Sequence, residues 1–170
     1  MIDMENSRRA EKTHRIEIRD ADPASARDLE NIRMLFREYV EALGEDLGYQ
    51  GFEEELGSLP GSYASPEGSL HLALVEGIPA GCVALRRLDD STCEMKRLFV
   101  RPRFRSLKLG SGLVKTVLEA AASRGYKVMK LDPLERLEAA RRLYLRFGFR
   151  EAEAYTYNPL PGALFMEIEL

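Results

Sequence analysis

The sequence predicts an α/β (α+β) fold, a mixed but mostly antiparallel sheet of about seven strands flanked by about four helices, and three observations carry that prediction. The hydrophobic period alternates between two and 3.6 in the order strand, helix, three strands, helix, strand, helix, two strands. The three central strands are joined by turns so short that only antiparallel pairing can follow. A strand, helix, strand passage in the middle, by contrast, demands at least one parallel pair.

Ile16 and Ile18 alternate within His14 to Arg19, a first strand. Asp22-Pro23 has the form of a cap and a first-turn proline, after which Leu29, Ile32, Phe36, Val40 and Leu43 recur at helical spacing until Gly44. Gly48 to Gly68 is broken by glycine, proline and serine and leaves room for only a short helix around Phe52 to Leu56. Leu70, Leu72 and Leu74 alternate, the turn Gly77-Ile78-Pro79 follows, and Cys82 to Leu88 and Thr92 to Val100 flank Asp89-Asp90-Ser91 as a meander. Leu113, Val117, Ala120 and Ala121 then form one helical stripe, with Gly125 as its stop. Val128 to Leu131 is a short strand ended by Pro133; Leu137, Ala140, Tyr144 and Phe147 give a helix ended by Gly148. Two last strands, near Phe149 to Tyr155 and Ala163 to Leu170, are separated by Asn158-Pro159-Leu160-Pro161-Gly162.

At 170 residues the chain has the size of one domain, set at 14–170, behind a polar leader at 1–13 that carries no apolar period. Hydrophobic residues at 45% and charged residues at 31% exclude wholesale disorder. No apolar run approaches the length of a membrane span, and residues 1–13 lack the apolar centre of a secretory signal, so a cytoplasmic protein away from membranes is expected. Cys82 and Cys93 make no disulfide framework, and His14 and His71 stand far apart with no ligand at metal-binding spacing, so no metal is expected.

Charge is distributed unevenly. Between Met95 and Leu118 lie Lys96, Arg97, Arg101, Arg103, Arg105, Lys108 and Lys115 with no acidic residue, leaving 18 basic against 28 acidic side chains elsewhere. The cluster spans a strand end, a loop and a helix start containing Gly110 and Gly112. Exposed amides and the positive end of a helix dipole make such a place suited to phosphate. A Walker loop is excluded because Lys115-Thr116 follows Val114 and sits inside the helix, and a dinucleotide fingerprint fails at its third glycine, which is Lys115. Nucleic acid is disfavoured because only Phe99 and Phe104 are interleaved with the cations.

Arg105-Ser106-Leu107-Lys108-Leu109-Gly110 resembles the acyl-CoA signature Arg/Gln-x-x-Gly-x-Gly/Ala of the GNAT superfamily of N-acetyltransferases. Ala140-Arg-Arg-Leu143-Tyr144-Leu-Arg-Phe147-Gly148-Phe149 is similar to that family's second motif, Ala-x-x-Leu-Tyr-x-x-x-Gly-Phe. The resemblance implies the GNAT fold and acetyl-CoA as cosubstrate. It places the pyrophosphate on the amides of Arg105, Ser106, Leu107, Lys108, Leu109, Gly110 and Ser111, and pairs the pantetheine arm with Leu98, Phe99 and Val100, where the fourth strand splays from the fifth. Lys108 departs from the pattern by standing at the family's first glycine, and we expect its ammonium to compensate for the crowding of its β-carbon. Leu137 departs too, replacing a frequent asparagine.

The resemblance also implies direct attack of an amine on the thioester, with Tyr144 as proton donor to the leaving sulfur. Without the family, Tyr144 would pass as core packing. Glu94, on the face shared by Lys96 and Leu98, stands where some family members place a general base; a cross-strand ion pair with Arg86 or Arg87 is the equal alternative. Asp132 either orients the amine or caps the next helix, and capping is the expectation. Tyr39, Tyr49, Tyr155, Tyr157 and Asn158 border the acceptor side. A small-molecule or peptide amine is the expected substrate, and an open sheet edge or the last hairpin could pair two copies as a homodimer. The competing function is a non-catalytic acyl-CoA-binding or regulatory domain.

Overall fold

The computed structural model describes residues 13–170, so the leader expected at 1–13 lies outside the described residues except for Thr13. One seven-stranded sheet runs in the order β1-β2-β3-β4-β5-β7-β6. Its strands are β1 (Ile16–Asp20), β2 (Ser69–Val75), β3 (Ile78–Arg87), β4 (Thr92–Val100), β5 (Val128–Leu131), β6 (Arg150–Glu151) and β7 (Met166–Glu169). Only β4 and β5 pair in parallel; every other neighbour is antiparallel. The α-helices are α1 (Ala26–Leu43), α2 (Phe52–Ser58), α3 (Leu109–Ser123) and α4 (Glu138–Phe147). No helix among the described residues is long and apolar enough to cross a membrane.

Alternation along the strands builds two cores, one on each side of the sheet. Ile32, Leu35, Phe36 and Leu56 from α1 and α2 pack with Leu72, Cys82 and Phe99 on one face. Leu113, Val117 and Leu143 from α3 and α4 pack with Val83, Leu85, Met95 and Met166 on the other. Helix α3 packs over β1 at Gly112, where a Cβ would stand 2.5 Å from Ile18 Cδ1 and displace the tip of that side chain. Both cysteines are buried and free.

Three boundaries differ from the expected ones. Asp22 does not cap α1; its Oδ1 accepts from Ala24 N at 2.9 Å and closes a tight turn, so the helix begins later, with Ser25 Oγ accepting from Asp28 N at 3.2 Å. The last two strands are much shorter than Phe149–Tyr155 and Ala163–Leu170. Pro159 and Pro161 have no N–H for a ladder, and the intervening chain turns instead onto the β5–α4 connection, where Leu164 N donates to Pro133 O and Glu135 N to Gly162 O, both at 2.8 Å. Asp132 caps no helix, since α4 starts six residues later without a side-chain cap.

The decisive irregularity is in β4. Its pairing with β5 stops at Glu94↔Lys130, whereas its pairing with β3 continues to Val100↔Gly81. From Met95 onward the side of β4 that faces β5 therefore has no strand partner. A register shift against β3 coincides with Arg97, whose φ of 59° is left-handed, an uncommon state for a residue with a β-carbon. Two successive side chains, Lys96 and Arg97, consequently turn to the α1–α2 face, and Leu98 packs with the opposite core. The expectation that Leu98 shares a face with Glu94 and Lys96 fails for this reason.

Arg97 is locked rather than free. Its guanidinium meets Glu55 at 2.9 and 3.3 Å and lies over the rings of Phe52 and Tyr39, while Cys82 Sγ donates to its carbonyl at 3.3 Å. Tyr63 O–H completes Glu55 at 2.5 Å. Burial raises the Tyr63 phenol well above the ordinary tyrosine range, with the adjacent Glu55 carboxylate acting in the same direction.

At the other end of the sheet, His71 is buried between Ser69, 2.8 Å from its Nε2, and Asp20, whose carboxylate is 2.8 Å from Nδ1 but out of line for a hydrogen bond. Burial pushes the imidazole pKa down, and Asp20 offsets only part of that. An unfolded chain therefore binds more protons at His71 than the folded one as pH drops below about 6.5, and stability falls there. Thermal melts from pH 8 to pH 5 should show a steeper acid-side fall in Tm for the native protein than for His71→Gln; equal slopes would remove His71 from the account.

Candidate active site

The unpaired stretch of β4 opens a cleft of about 610 Å³ between β4 and the start of α4. Leu98, Phe99 and Val100 form one wall, Leu137, Ala139, Ala140 and Leu143 the other, and Arg105 and Gly110 stand at its mouth. At that mouth a 3-10 turn, Pro102–Leu107, runs into Lys108 and then α3. The first internal backbone bond of α3 is Gly112 N to Lys108 O at 3.2 Å, so the amides of Leu109, Gly110 and Ser111 point outward without an acceptor. Free strand amides, a helix N-terminus and a cationic rim fit an acyl-CoA: a diphosphate on the amides and an amide-bearing arm along the strand.

The seven clustered cations do not act as one patch. Lys96 and Arg97 are buried on the other side of the sheet, Arg101 is tied to Glu38 at 2.8 and 2.7 Å and to Pro79 O at 2.7 Å, and Lys115 lies by Glu119. Arg103, Arg105 and Lys108 remain near the helix mouth, with Arg103 over the Phe104 ring and Arg105 Nε donating to Val100 O at 3.2 Å. Lys108 itself has φ 58° and ψ 26°, the left-handed state that a glycine adopts without cost. The signature's first glycine thus has a backbone reason, and this chain meets it with a lysine under strain.

Behind Leu98 a second, smaller cavity of about 80 Å³ continues from the cleft, the two sharing Tyr39, Leu43, Leu98, Leu137 and Ala140. Its polar wall is a hydrogen-bonded ring drawn from four segments. Lys96 Nζ donates to Gln50 Oε1 at 3.1 Å, Gln50 Nε2 to Tyr49 Oη at 2.8 Å, Tyr49 O–H to Asn158 Oδ1 at 3.1 Å, and Asn158 Nδ2 to Asp132 Oδ2 at 3.0 Å. The ring would close between Lys96 Nζ and Asp132 Oδ1, but they stand 3.8 Å apart, beyond hydrogen-bonding distance. Burial lowers the Lys96 ammonium pKa and raises that of Asp132, in each case against the pull of the other's charge.

Tyr144 lines this small cavity, packed edge-on against Phe149 at 5.7 Å, and its hydroxyl has no protein partner. Burial drives its phenol well above the ordinary range, which keeps it an O–H. Glu94 is fully buried and takes the ion pair with Arg86, at 2.9 and 2.8 Å, rather than with Arg87. Only Oε1 is engaged; Oε2 has no partner and Lys96 Nζ lies 3.6 Å from Oε1. The Tyr155 hydroxyl is likewise buried and unbonded, its phenol pushed far up by burial and then by the Glu94 and Asp132 charges. Tyr157 is exposed and packs edge-on to Tyr49. The structure thus brings Leu98, Phe99, Val100, Arg105 and Gly110 to one cleft and Tyr144, Asp132 and Asn158 to the adjoining cavity. Gln50 and the turn of Arg97 onto the face of Lys96 have no signal in the sequence, because nothing in the local pattern marks a bulge at Arg97.

The profile of the acetyltransferase (GNAT) family matches residues 29–149. The chain belongs to that family. An uncharacterised N-acetyltransferase of Schizosaccharomyces pombe is 41% identical over 145 residues, covering 84% of this chain and 89% of the relative. The N-acetylaspartate synthetase of Mus musculus is 35% identical over 102 residues, 59% of this chain but 34% of that protein. Among solved structures, an acetyltransferase from Streptococcus agalactiae superposes with a TM-score of 0.75 at 21% identity over 91% of this chain and 98% of its own. The PaiA N-acetyltransferase of Thermoplasma acidophilum, solved in complex with coenzyme A, does so with 0.70 at 18% over 92% and 99%. With relatives named as enzymes, the GNAT chain is an acetyl-CoA-dependent N-acetyltransferase, and the non-catalytic alternative gives way.

Lys108→Gly should raise Tm by relieving a left-handed residue, worth about 1 kcal/mol, and at the same time weaken acetyl-CoA binding through loss of the ammonium. Calorimetric titration checks the second half, and tighter binding by the glycine variant would show that the charge does not compensate.

Proposed function

We propose that this GNAT enzyme acetylates a small amine by direct attack in a ternary complex, the thioester lying beside Leu98 with its carbonyl toward the β4 backbone and its sulfur toward Tyr144. The observation that carries this reading is the junction of the two cavities at Leu98, with the unbonded Tyr144 hydroxyl beyond it. The amides of Leu109, Gly110 and Ser111, with Arg105 and Lys108, would hold the diphosphate, continued by Arg105, Ser106 and Leu107 along the turn. Backbone N–H of Phe99 or Val100 would stabilise the oxyanion without reorganising.

In the reaction the amine nitrogen forms a bond to the carbonyl carbon, the C–S bond breaks, the amine gives up a proton and the sulfur gains one. Tyr144 supplies the second of these protons. Since burial makes a lasting phenolate costly, it releases that proton only as the one lost by the amine replaces it. Before attack the acceptor's ammonium loses a separate proton, which frees its lone pair, to the carboxylates flanking Lys96: Asp132, which lines the cavity, and behind it the buried Glu94, whose Oε2 has no partner and which we assign as the general base. Neither Cys82 nor Cys93 lines either cavity, which supports direct transfer over an acetyl-cysteine intermediate. The synthetases' name puts amino acids first among the acceptors to assay.

Tyr144→Phe should lower kcat about 100-fold with little change in the KM for acetyl-CoA, read as thiol release; an unaltered kcat would return Tyr144 to core packing. Glu94→Gln should lose activity at neutral pH and regain it as pH rises toward the amine's own pKa, and a profile parallel to the native one dismisses Glu94 as base.

A further inference from the structure

Resting on the acetyl-transfer reading, we propose that the acceptor is a free α-amino acid, held as a zwitterion in the gap between Lys96 and Asp132. The hydrogen-bonded ring is complete at every link except this one. A buried ammonium and a largely buried carboxylate face each other at 3.8 Å without a hydrogen bond between them, and among the described residues Asp132 Oδ1 accepts from no other group. Molecules that restore both losses at once carry an ammonium and a carboxylate a short distance apart. Such a ligand donates its ammonium to Asp132 Oδ1 and accepts from the remaining Lys96 N–H groups, replacing one long contact by two charge-assisted bonds.

Charge bookkeeping across the pocket narrows the class. Among the described residues, Arg97 is neutralised by Glu55 and Arg86 by Glu94, which leaves Lys96 and Asp132 as the balanced pair exposed to the cavity. A polyamine would bring surplus positive charge beside Lys96, and a peptide N-terminus would bring an ammonium but leave Lys96 facing a neutral amide. Size points the same way, because the cavity holds only about 80 Å³ and Leu43, Leu47, Leu134 and Leu160 line it beside the polar ring. Nucleophile delivery also fits: Asp132 receives the ammonium and can draw off its proton, on the wall that Tyr144 and Leu98 share.

The test is a three-way panel with the native enzyme: alanine, alaninamide and ethylamine, repeated with aspartate and its α-amide. The free acids should exceed both the amides and the simple amine in kcat/KM by about 10-fold or more, the ratio set by one charge-assisted bond. In Lys96→Met that ratio should collapse toward one, while calorimetry reports coenzyme A binding as in the native protein, showing that the fold and donor site persist. Equal turnover of acid, amide and simple amine overturns the proposal and leaves acetyl transfer standing. Coenzyme A binding without turnover of any free amino acid overturns it as well, and failure to bind coenzyme A at all sinks the reading on which it rests.

Discussion

The site depends on β4 leaving β5 while still holding β3, and within the freed stretch one residue bends the strand. Arg97 sits in a left-handed conformation that costs energy for any side chain with a β-carbon. Its guanidinium, pinned to Glu55 and sandwiched by Phe52 and Tyr39, holds the backbone there. The bulge does two things at once. It brings Arg97 onto the face that Lys96 already shares with Glu94, and it sends Leu98 to the opposite core, at the junction of the two cavities. Helix α2, short and seemingly peripheral, supplies Phe52 and Glu55 and so holds the shape of β4 through Arg97.

Donor and acceptor halves differ in how they were visible beforehand. The larger cleft draws Leu98, Phe99, Val100, Arg105 and Gly110 from one contiguous run in which strand, turn and helix start follow directly, so spacing and glycine placement mark that wall in the sequence, whereas its other walls come from α1 and residues 136–143. Burial periodicity likewise exposed the helices and the β2–β3–β4 meander, because one solvent-shielded face imposes a period of two or 3.6. The acceptor ring joins residues 49, 50, 96, 132 and 158, and no local pattern connects positions so far apart.

Two errors share a cause of their own. Charge counted along the sequence groups Lys96 with the phosphate cations although alternation puts it on the face of Glu94, and alternation puts Leu98 there too, because it carries no sign of the bulge at Arg97 that cancels it. Asp132 reads as a helix cap because a short polar residue before proline commonly is one; here the proline begins a loop that pairs with Gly162 and Leu164 of the last connection. Charge alone is similarly blunt: seven cations close in sequence divide between ion pairs and open surface once strand alternation buries Lys96 and the bulge redirects Arg97.

The scattered origin of the ring has an evolutionary reading. Tyr49, Gln50 and Asn158 sit in loops that carry none of the sheet's ladder, whereas the donor half is woven into β4 and α3. Descendants of this protein could therefore trade one nucleophile for another by redrafting two surface segments, inheriting the thioester-handling machinery intact.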